Sequence, residues 1–200
     1  MDWTTNHLVV LLGRIWQALS QGQAKLQHPL RTPILGTIGT RQSSLRIVVL
    51  RQVNPAQRSL VCYSDYRTVK VTDILANPGI EWLFYHPAER IQIRASGLAK
   101  IHYLDAVATE AWSALPGPIR LNYCTPLAPG REIRKPGEAL PKAWKGRMPA
   151  KDEMQIGWPN FAVIASTIDR LDWLQLTEKE NRRAGFVWDG TEFKGSWLVP

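Results

Sequence analysis

Leu8, Leu11, Leu12, Ile15 and Leu19 recur at three- and four-residue intervals, the spacing that lines one face of an α-helix. The pattern predicts an amphipathic helix over 2–22, with Thr4 or Thr5 as its cap and Gly22 as its stop. After a polar stretch to Pro29 the period changes. Residues 32–40 (TPILGTIGT), 45–51 (LRIVVLR) and 59–64 (SLVCYS) are short, rich in β-branched residues and separated by turn formers, which predicts three strands. Residues 53–57 (VNPAQ) read as the loop of a hairpin. A short helix is expected over 68–76, closed by Asn77-Pro78-Gly79, followed by strands at 80–85 and 91–101. In the second of these Ile91 and Ile93 alternate with Gln92 and Arg94, so the isoleucines take one face and the polar pair the other. Residues 104–115 predict a second amphipathic helix, ended by Pro116-Gly117-Pro118.

Residues 116–159 are rich in proline and show little periodicity. A loop of this length in a compact domain is usually functional or disordered. Strand patterns return at 160–168 and 171–176. Around Asp189-Gly190, the segment 186–193 reads as a hairpin with a two-residue loop. Many short strands without β-α-β alternation predict either a mainly β fold, a β-barrel with flanking helices, or an α+β domain, as one domain over 1–200.

A chain of 200 residues can bury a full core without disulfides or metal. Its charge is less ordinary: 25 Lys and Arg against 17 Asp and Glu give +8 and a pI near 9.8, with nine tryptophans. Basic and aromatic together suit a nucleic-acid binder, a binder of a phosphorylated cofactor, or an oligomer with aromatic interfaces. The cations are spread along strands rather than collected in one run, which counts against nucleic acid. Trp82, Trp112, Trp173 and Trp188 fall within regular segments, where packing is the expected role. The apolar run 8–12 is far shorter than the ~20 residues that span a bilayer, so no membrane partner is expected. Cys62 and Cys124 lack ligand spacing and His7, His28, His86 and His102 are scattered, so no metal is expected and a reducing cytoplasm is the default. The chain has no G-x-G-x-x-G, Walker loop, H-E-x-x-H or nucleophile elbow. Any chemistry would then come from a bound cofactor.

Three segments carry groups that could hold one. Arg46 and Arg51 bracket an apolar strand, but five residues apart on a regular strand they point to opposite faces. They could clamp one group only across a bulge. Residues 63–70 (YSDYRTVK) leave a strand, turn and open a helix, so Tyr63, Ser64, backbone N–H groups and Lys70 could meet an anion at the helix start. Gln92 offers an amide donor and acceptor, suited to the edge of a heteroaromatic ring.

Taken in order, these segments resemble the FMN-binding split β-barrel family typified by pyridoxamine 5′-phosphate oxidase. The resemblance rests on Arg46-x-Val48-Val49-Leu50-Arg51, Tyr63-Ser64 with Lys70 and Asn77-Pro78, Leu83-Phe84-Tyr85, and Arg90-Ile91-Gln92-Ile93-Arg94-x-x-Gly97. Residues 171–176 (LDWLQL), Arg183-x-x-Phe186 and 197–200 (WLVP) extend it. It implies FMN at a homodimer interface, with Arg46 and Lys70 on the phosphate. Ile47, Val48, Val49 and Arg51, with Tyr63 and Ser64, would line the flavin and its ribityl chain. Gln92 would approach the ring, and Arg183 its pyrimidine edge. A small-molecule substrate and flavin-dependent oxidoreductase activity follow, with genuine pyridoxamine or pyridoxine 5′-phosphate oxidase activity and a non-catalytic nucleic-acid module as alternatives. Departures from the pattern fall on the substrate side. The phosphate turn reads Thr68-Val69-Lys70, one arginine short, with Arg67 as a possible replacement. The positions that would grip a substrate phosphate hold Ala111 and Leu115, with Arg131, Arg134 and Lys135 as possible substitutes from the loop. The family's Gln-Ser pair is missing near Ala128-Pro129, and 180–183 (ENRR) lacks the usual histidine.

Overall fold

The computed structural model describes residues 3–39, 42–136, 139–178 and 180–200. The predicted helix start at residue 2, the end of the first strand at Thr40 and residues 137–138 of the proline-rich segment lie outside these.

Helix α1 (Leu8–Ala24) buries Leu11, Ile15, Trp16 and Leu19, the stripe expected from the spacing. It begins later than predicted: Thr5 Oγ1 accepts from the His7 N–H at 3.1 Å before the helix, and His7 stands at the cap position. Gly22 does not stop it. A Cβ there would lie 2.9 Å from Leu30 Cβ, so glycine lets the last turn pass close to the Pro29–Arg31 turn.

The strands form one antiparallel system: β1 (Ile34–Ile38), β2 (Ser43–Ile47), β3 (Gln52–Asn54), β4 (Ser59–Asp65), β5 (Gly79–His86), β6 (Ile91–His102), β7 (Phe161–Gln175), β8 (Arg182–Trp188) and β9 (Phe193–Leu198). Their order is β2-β1-β5-β6-β7-β4-β3, with β8 and β9 continuing from β7. The two ends of that order, β2 and β3, are consecutive in sequence. The linking residues 48–51 stay extended: Val48 N–H bonds Pro33 O at 2.9 Å, Leu50 N–H bonds Arg31 O at 2.9 Å, and Arg51 N–H bonds Val61 O at 2.8 Å. A single bent strand thus pairs with β1 at one end and β4 at the other, which closes the sheet into the expected barrel.

The predicted strand 45–51 is therefore divided, and 52–54, expected in part as loop, pairs with β4. Val48 and Leu50 are buried and Val53 packs on the same core, so the alternation slips by one residue between Leu50 and Val53. Such a slip rotates the strand on its axis.

The separately predicted strands 160–168 and 171–176 are one strand, β7. Its register against β6 jumps from Ser96–Arg170 to Gly97–Ile168, leaving Asp169 as the extra residue of a bulge. Gly97 lies at that step; a Cβ there would fall 2.0 Å from Thr167 O and 2.9 Å from Ile168 Cα. The β8–β9 hairpin has a four-residue rather than a two-residue loop. The Asp189 carboxylate accepts from the N–H groups of Thr191 at 2.8 Å and Glu192 at 2.9 Å, which draws those residues out of the ladder, and Trp188 pairs with Phe193.

Trp82, Phe84, Ile93, Leu171 and Trp173 fill the barrel beside α1. Trp82 donates to Ser166 Oγ at 3.2 Å, satisfying its buried indole N–H. Helix α2 (Val69–Ala76) packs on β1 and β6, and α3 (Ala106–Ala114) on β7. Residues 116–159 carry α4 (Gly117–Arg120), single turns at Leu121–Tyr123 and Lys142–Trp144, and a longer 3₁₀ helix that begins at Glu153 and ends at Asn160, with no strand among the described residues.

Gly97→Ala should destabilise the chain by roughly 2–4 kcal/mol, because both obstructing groups are backbone. Gly13→Ala on exposed α1, where a Cβ meets nothing within 4 Å, should stabilise it by about 0.5–1 kcal/mol. Denaturant midpoints of the two variants check the contrast.

Candidate functional site

Three predicted residues, Arg46, Ser64 and Lys70, converge where β2, β4 and α2 meet. Ser64 lies at the end of β4 and is buried, and Lys70 lies in the first turn of α2. The Lys70 ammonium donates to Ser64 Oγ at 3.1 Å and Thr68 Oγ1 at 3.4 Å, and the two hydroxyls are 3.0 Å apart. Arg46 crosses from β2: its guanidinium donates to Thr37 Oγ1 at 2.7 Å, Ser44 Oγ at 2.7 Å and Leu35 O at 3.3 Å. The Asp73 carboxylate stands 3.9 Å from it.

The fully buried Cys62 thiol, which faces the barrel core from β4, feels the positive fields of Lys70, Arg51 and Arg46, although burial dominates and pushes its pKa up to about 12. The Arg51 guanidinium rests over the Tyr63 ring, 5.6 Å from its centre. No hydrogen-bond or ion-pair partner for it exists among the described residues.

Burial lowers the Lys70 pKa, and the Arg46 charge lowers it further. Burial also lowers that of Arg46, with Asp73 partly opposing. Cations whose charged forms are disfavoured by burial and by one another make a site that an incoming anion would relieve. Arg67 does not supply the missing arginine. It is clamped to the Asp65 carboxylate at 2.7 Å and 3.0 Å and donates to the carbonyls of Thr125 and Pro126, both at 3.1 Å, so it ties the loop to β4.

The remaining predicted residues lie elsewhere. Val48 is buried in the core, while Ile47 is 71% exposed and faces out of the barrel. Val49 is half-buried. Tyr63 packs with Val61, Ala111 and Phe161 beneath α3, where burial raises its phenol pKa and Arg51 opposes the rise. Gln92 and Arg183 share the outer face: Tyr85, Gln92, Leu174, Arg183 and Leu198 stand in one cross-strand row over β5 to β9. The Arg183 guanidinium is paired with Asp172 at 2.9 Å, and Arg94, opposite Asp172 in register, is paired with Glu81 at 2.5 Å. Charges of alternating sign therefore cross four strands.

On the same face, a cleft of roughly 480 Å³ runs past Gly36, Leu45, Gly79, Glu81 and Gly97. Leu45 is 71% and Leu98 58% exposed beside it.

Ala111 and Leu115 are each 8% exposed and packed with Trp112, Tyr123 and Phe161. Arg120, fully buried, donates to the carbonyls of Trp112, Ser113 and Leu115 and so caps the end of α3 rather than replacing a phosphate ligand. Arg134 and Lys135 line a cavity within their own loop, with Lys142 and Lys145. Thr37 and Asp73 were not singled out in the sequence. The i, i+3 spacing of Lys70 and Asp73, which puts both on one face of α2, was the available signal.

Residues 14–103 match the family model described as pyridoxamine 5′-phosphate oxidase, FMN-binding domain. Two curated relatives are pyridoxine/pyridoxamine 5′-phosphate oxidases of Psychrobacter cryohalolentis and Psychrobacter arcticus. Each is 37% identical over 81 residues, 40% of this chain and 36% of the relative, so the match spans about a third of those proteins. Two solved structures share the fold over nearly the whole chain. A pyridoxamine 5′-phosphate oxidase-related, FMN-binding protein of Nostoc punctiforme superposes with TM-score 0.73 at 21% identity, covering 100% of this chain and 98% of that one. PhzG of Burkholderia lata, in complex with tetrahydrophenazine-1-carboxylic acid, superposes with TM-score 0.72 at 16% identity, covering 98% and 94%. Over residues 14–103 the chain is similar to the FMN-binding pyridoxamine 5′-phosphate oxidase-like proteins, and as a whole it has the split-barrel fold of these neighbours.

The Cys62 thiolate is suppressed by burial, and the thiolate is the reactive form. Native protein at pH 8 should therefore show no thiol labelling at Cys62, whereas denatured protein should show both cysteines; titration with a chromogenic disulfide reagent checks this.

Proposed function

From its kinship with the FMN-binding oxidases and from the cationic cluster at the head of α2, we propose that this chain binds FMN and acts as a flavin-dependent oxidoreductase on a small organic substrate. The observation that carries the reading is the convergence of Arg46 and Lys70 with the Ser64 and Thr68 hydroxyls. A terminal phosphate needs this donor set: charge-assisted N–H donors with hydroxyls between them. Arg46, Lys70 and Ser64 would hold the phosphate. Ile47, Val48, Val49, Arg51 and Tyr63 would line the remainder of the cofactor, with Gln92 and Arg183 directed at its ring. Bound FMN would supply electron transfer between the substrate and O₂ or a nicotinamide. Asp172 would fix the aim of Arg183 and temper its charge.

A homodimer with the flavin at its boundary fits the outer face. Exposed Leu45, Ile47 and Leu98 surround the glycine-lined cleft, and apolar surface of this kind is normally covered. Two buried free thiols suit the reducing cytoplasm.

Turnover of pyridoxamine 5′-phosphate is the second reading, favoured by what the curated relatives are. Against it stand Ala111 and Leu115, whose buried apolar packing leaves no donor for a substrate phosphate. A substrate without that group fits the site better.

The purified protein should show oxidised-flavin absorption bands and release a chromophore with the mass of FMN. Arg46→Ala should weaken FMN binding by about 1.5–3 kcal/mol, the usual loss for a hydrogen bond to a charged group. A colourless protein that takes up no FMN overturns the reading, and sustained turnover of pyridoxamine 5′-phosphate would install the second one. Size-exclusion chromatography with light scattering should give a dimer.

A further inference from the structure

We propose that Asp73 is a positioning residue for the anion end of this site, aiming Arg46 through the hydroxyl of Thr37. The proposal rests on the flavin reading only for what carries the anion. Asp73 projects from α2 and is nine-tenths buried, and Thr37 on β1 is 1% exposed. Thr37 Oγ1 donates to Asp73 Oδ2 at 2.8 Å and accepts from Arg46 Nη1 at 2.7 Å. A free hydroxyl rotates to suit either neighbour. An ionised carboxylate can only accept, so it commits the Thr37 proton to itself and turns the hydroxyl lone pair toward Arg46.

Of the five N–H donors of a guanidinium, three are taken by Thr37 Oγ1, Ser44 Oγ and Leu35 O. Two are left, enough for a bidentate grip on a phosphate. Asp73 itself stays 3.9 Å from Arg46, close enough for Coulomb attraction and too far to occupy those donors. Because Asp73 and Lys70 share α2, the link from Asp73 to β1 also fixes Lys70 relative to Arg46. A carboxylate needed only to join α2 to the sheet would do so through Thr37 alone. Here the same hydroxyl is the anchor of the cation.

The test uses Asp73→Ala, Asp73→Asn and Thr37→Val in the full chain. FMN and riboflavin, which lacks the phosphate, are titrated by fluorescence, and inorganic phosphate is assayed by thermal shift. Asp73→Ala should raise the FMN Kd about tenfold, leave the riboflavin Kd within about twofold of wild type, and abolish stabilisation by phosphate. Asp73→Asn keeps an oxygen for the Thr37 hydroxyl and should recover most of the FMN affinity. Thr37→Val removes the hydroxyl while keeping its shape, and should match Asp73→Ala even where the latter fails to fold. FMN affinity that is unchanged or increased in both Asp73→Ala and Thr37→Val overturns the proposal, and an increase in both Asp73 variants would make the carboxylate a simple repulsive charge. A wild-type chain that ignores both flavins but gains stability from phosphate, with the gain lost in Asp73→Ala, sinks the flavin reading and keeps the role of Asp73. A wild type that responds to neither FMN nor phosphate overturns both.

Discussion

Between Ile47 and Gln52 the chain leaves one strand partner and takes up another without turning back. Backbone groups of 48–51 bond first to Arg31 and Pro33 and then to Val61, so every donor used along this stretch is satisfied while the neighbour changes. The barrel closes at this crossing. Because buried residues must fill the interior on both sides of it, the inward phase set by Val48 and Leu50 gives way to that set by Val53. On either side of it the two arginines find different neighbours: Arg46 bonds to Thr37 on β1, and Arg51 lies over Tyr63 beneath α3.

The electrostatics of that end follow from how the acids are allotted. Asp65 is consumed by Arg67, which ties the proline-rich segment to β4 through the carbonyls of Thr125 and Pro126. Asp172 is held by Arg183 and Glu81 by Arg94, both on the outer face. Asp73, buried, stands beside Arg46 and is linked to it through Thr37. A basic protein could have spread its charge over solvent, where pairs are worth little. Here part of it is concentrated where burial already disfavours it, an arrangement that costs stability unless an anion completes it.

The two faces of the sheet serve different ends. Inward positions build a dry core around Trp82, Phe84 and Trp173. Outward positions of β2, β5 and β6 combine exposed aliphatic side chains, a glycine-lined cleft and a row of alternating charges. Beneath α3, Ala111 and Leu115 are part of a second apolar cluster. The head of α2 is thus polar and cationic, whereas Ala111 and Leu115 are packed as core.

Much of this was legible from the residues alone. The helical stripe of α1, the inward isoleucines of β6, the mainly β class and the grouping of Ser64 with Lys70 all follow from local period and local turn chemistry. Those signals live within a few residues of each other, so the sequence determined them by itself. It could not determine that 45–51 divides between two partners, that two predicted strands form one bulged β7, or that Arg67 turns to Asp65. Nor could it join Thr37, Arg46 and Asp73, residues up to 36 positions apart, into one chain of hydrogen bonds. Each of these depends on which strand lies alongside which. That choice is made by closing the barrel over its core, where burial and backbone pairing of distant segments outweigh what any short stretch prefers.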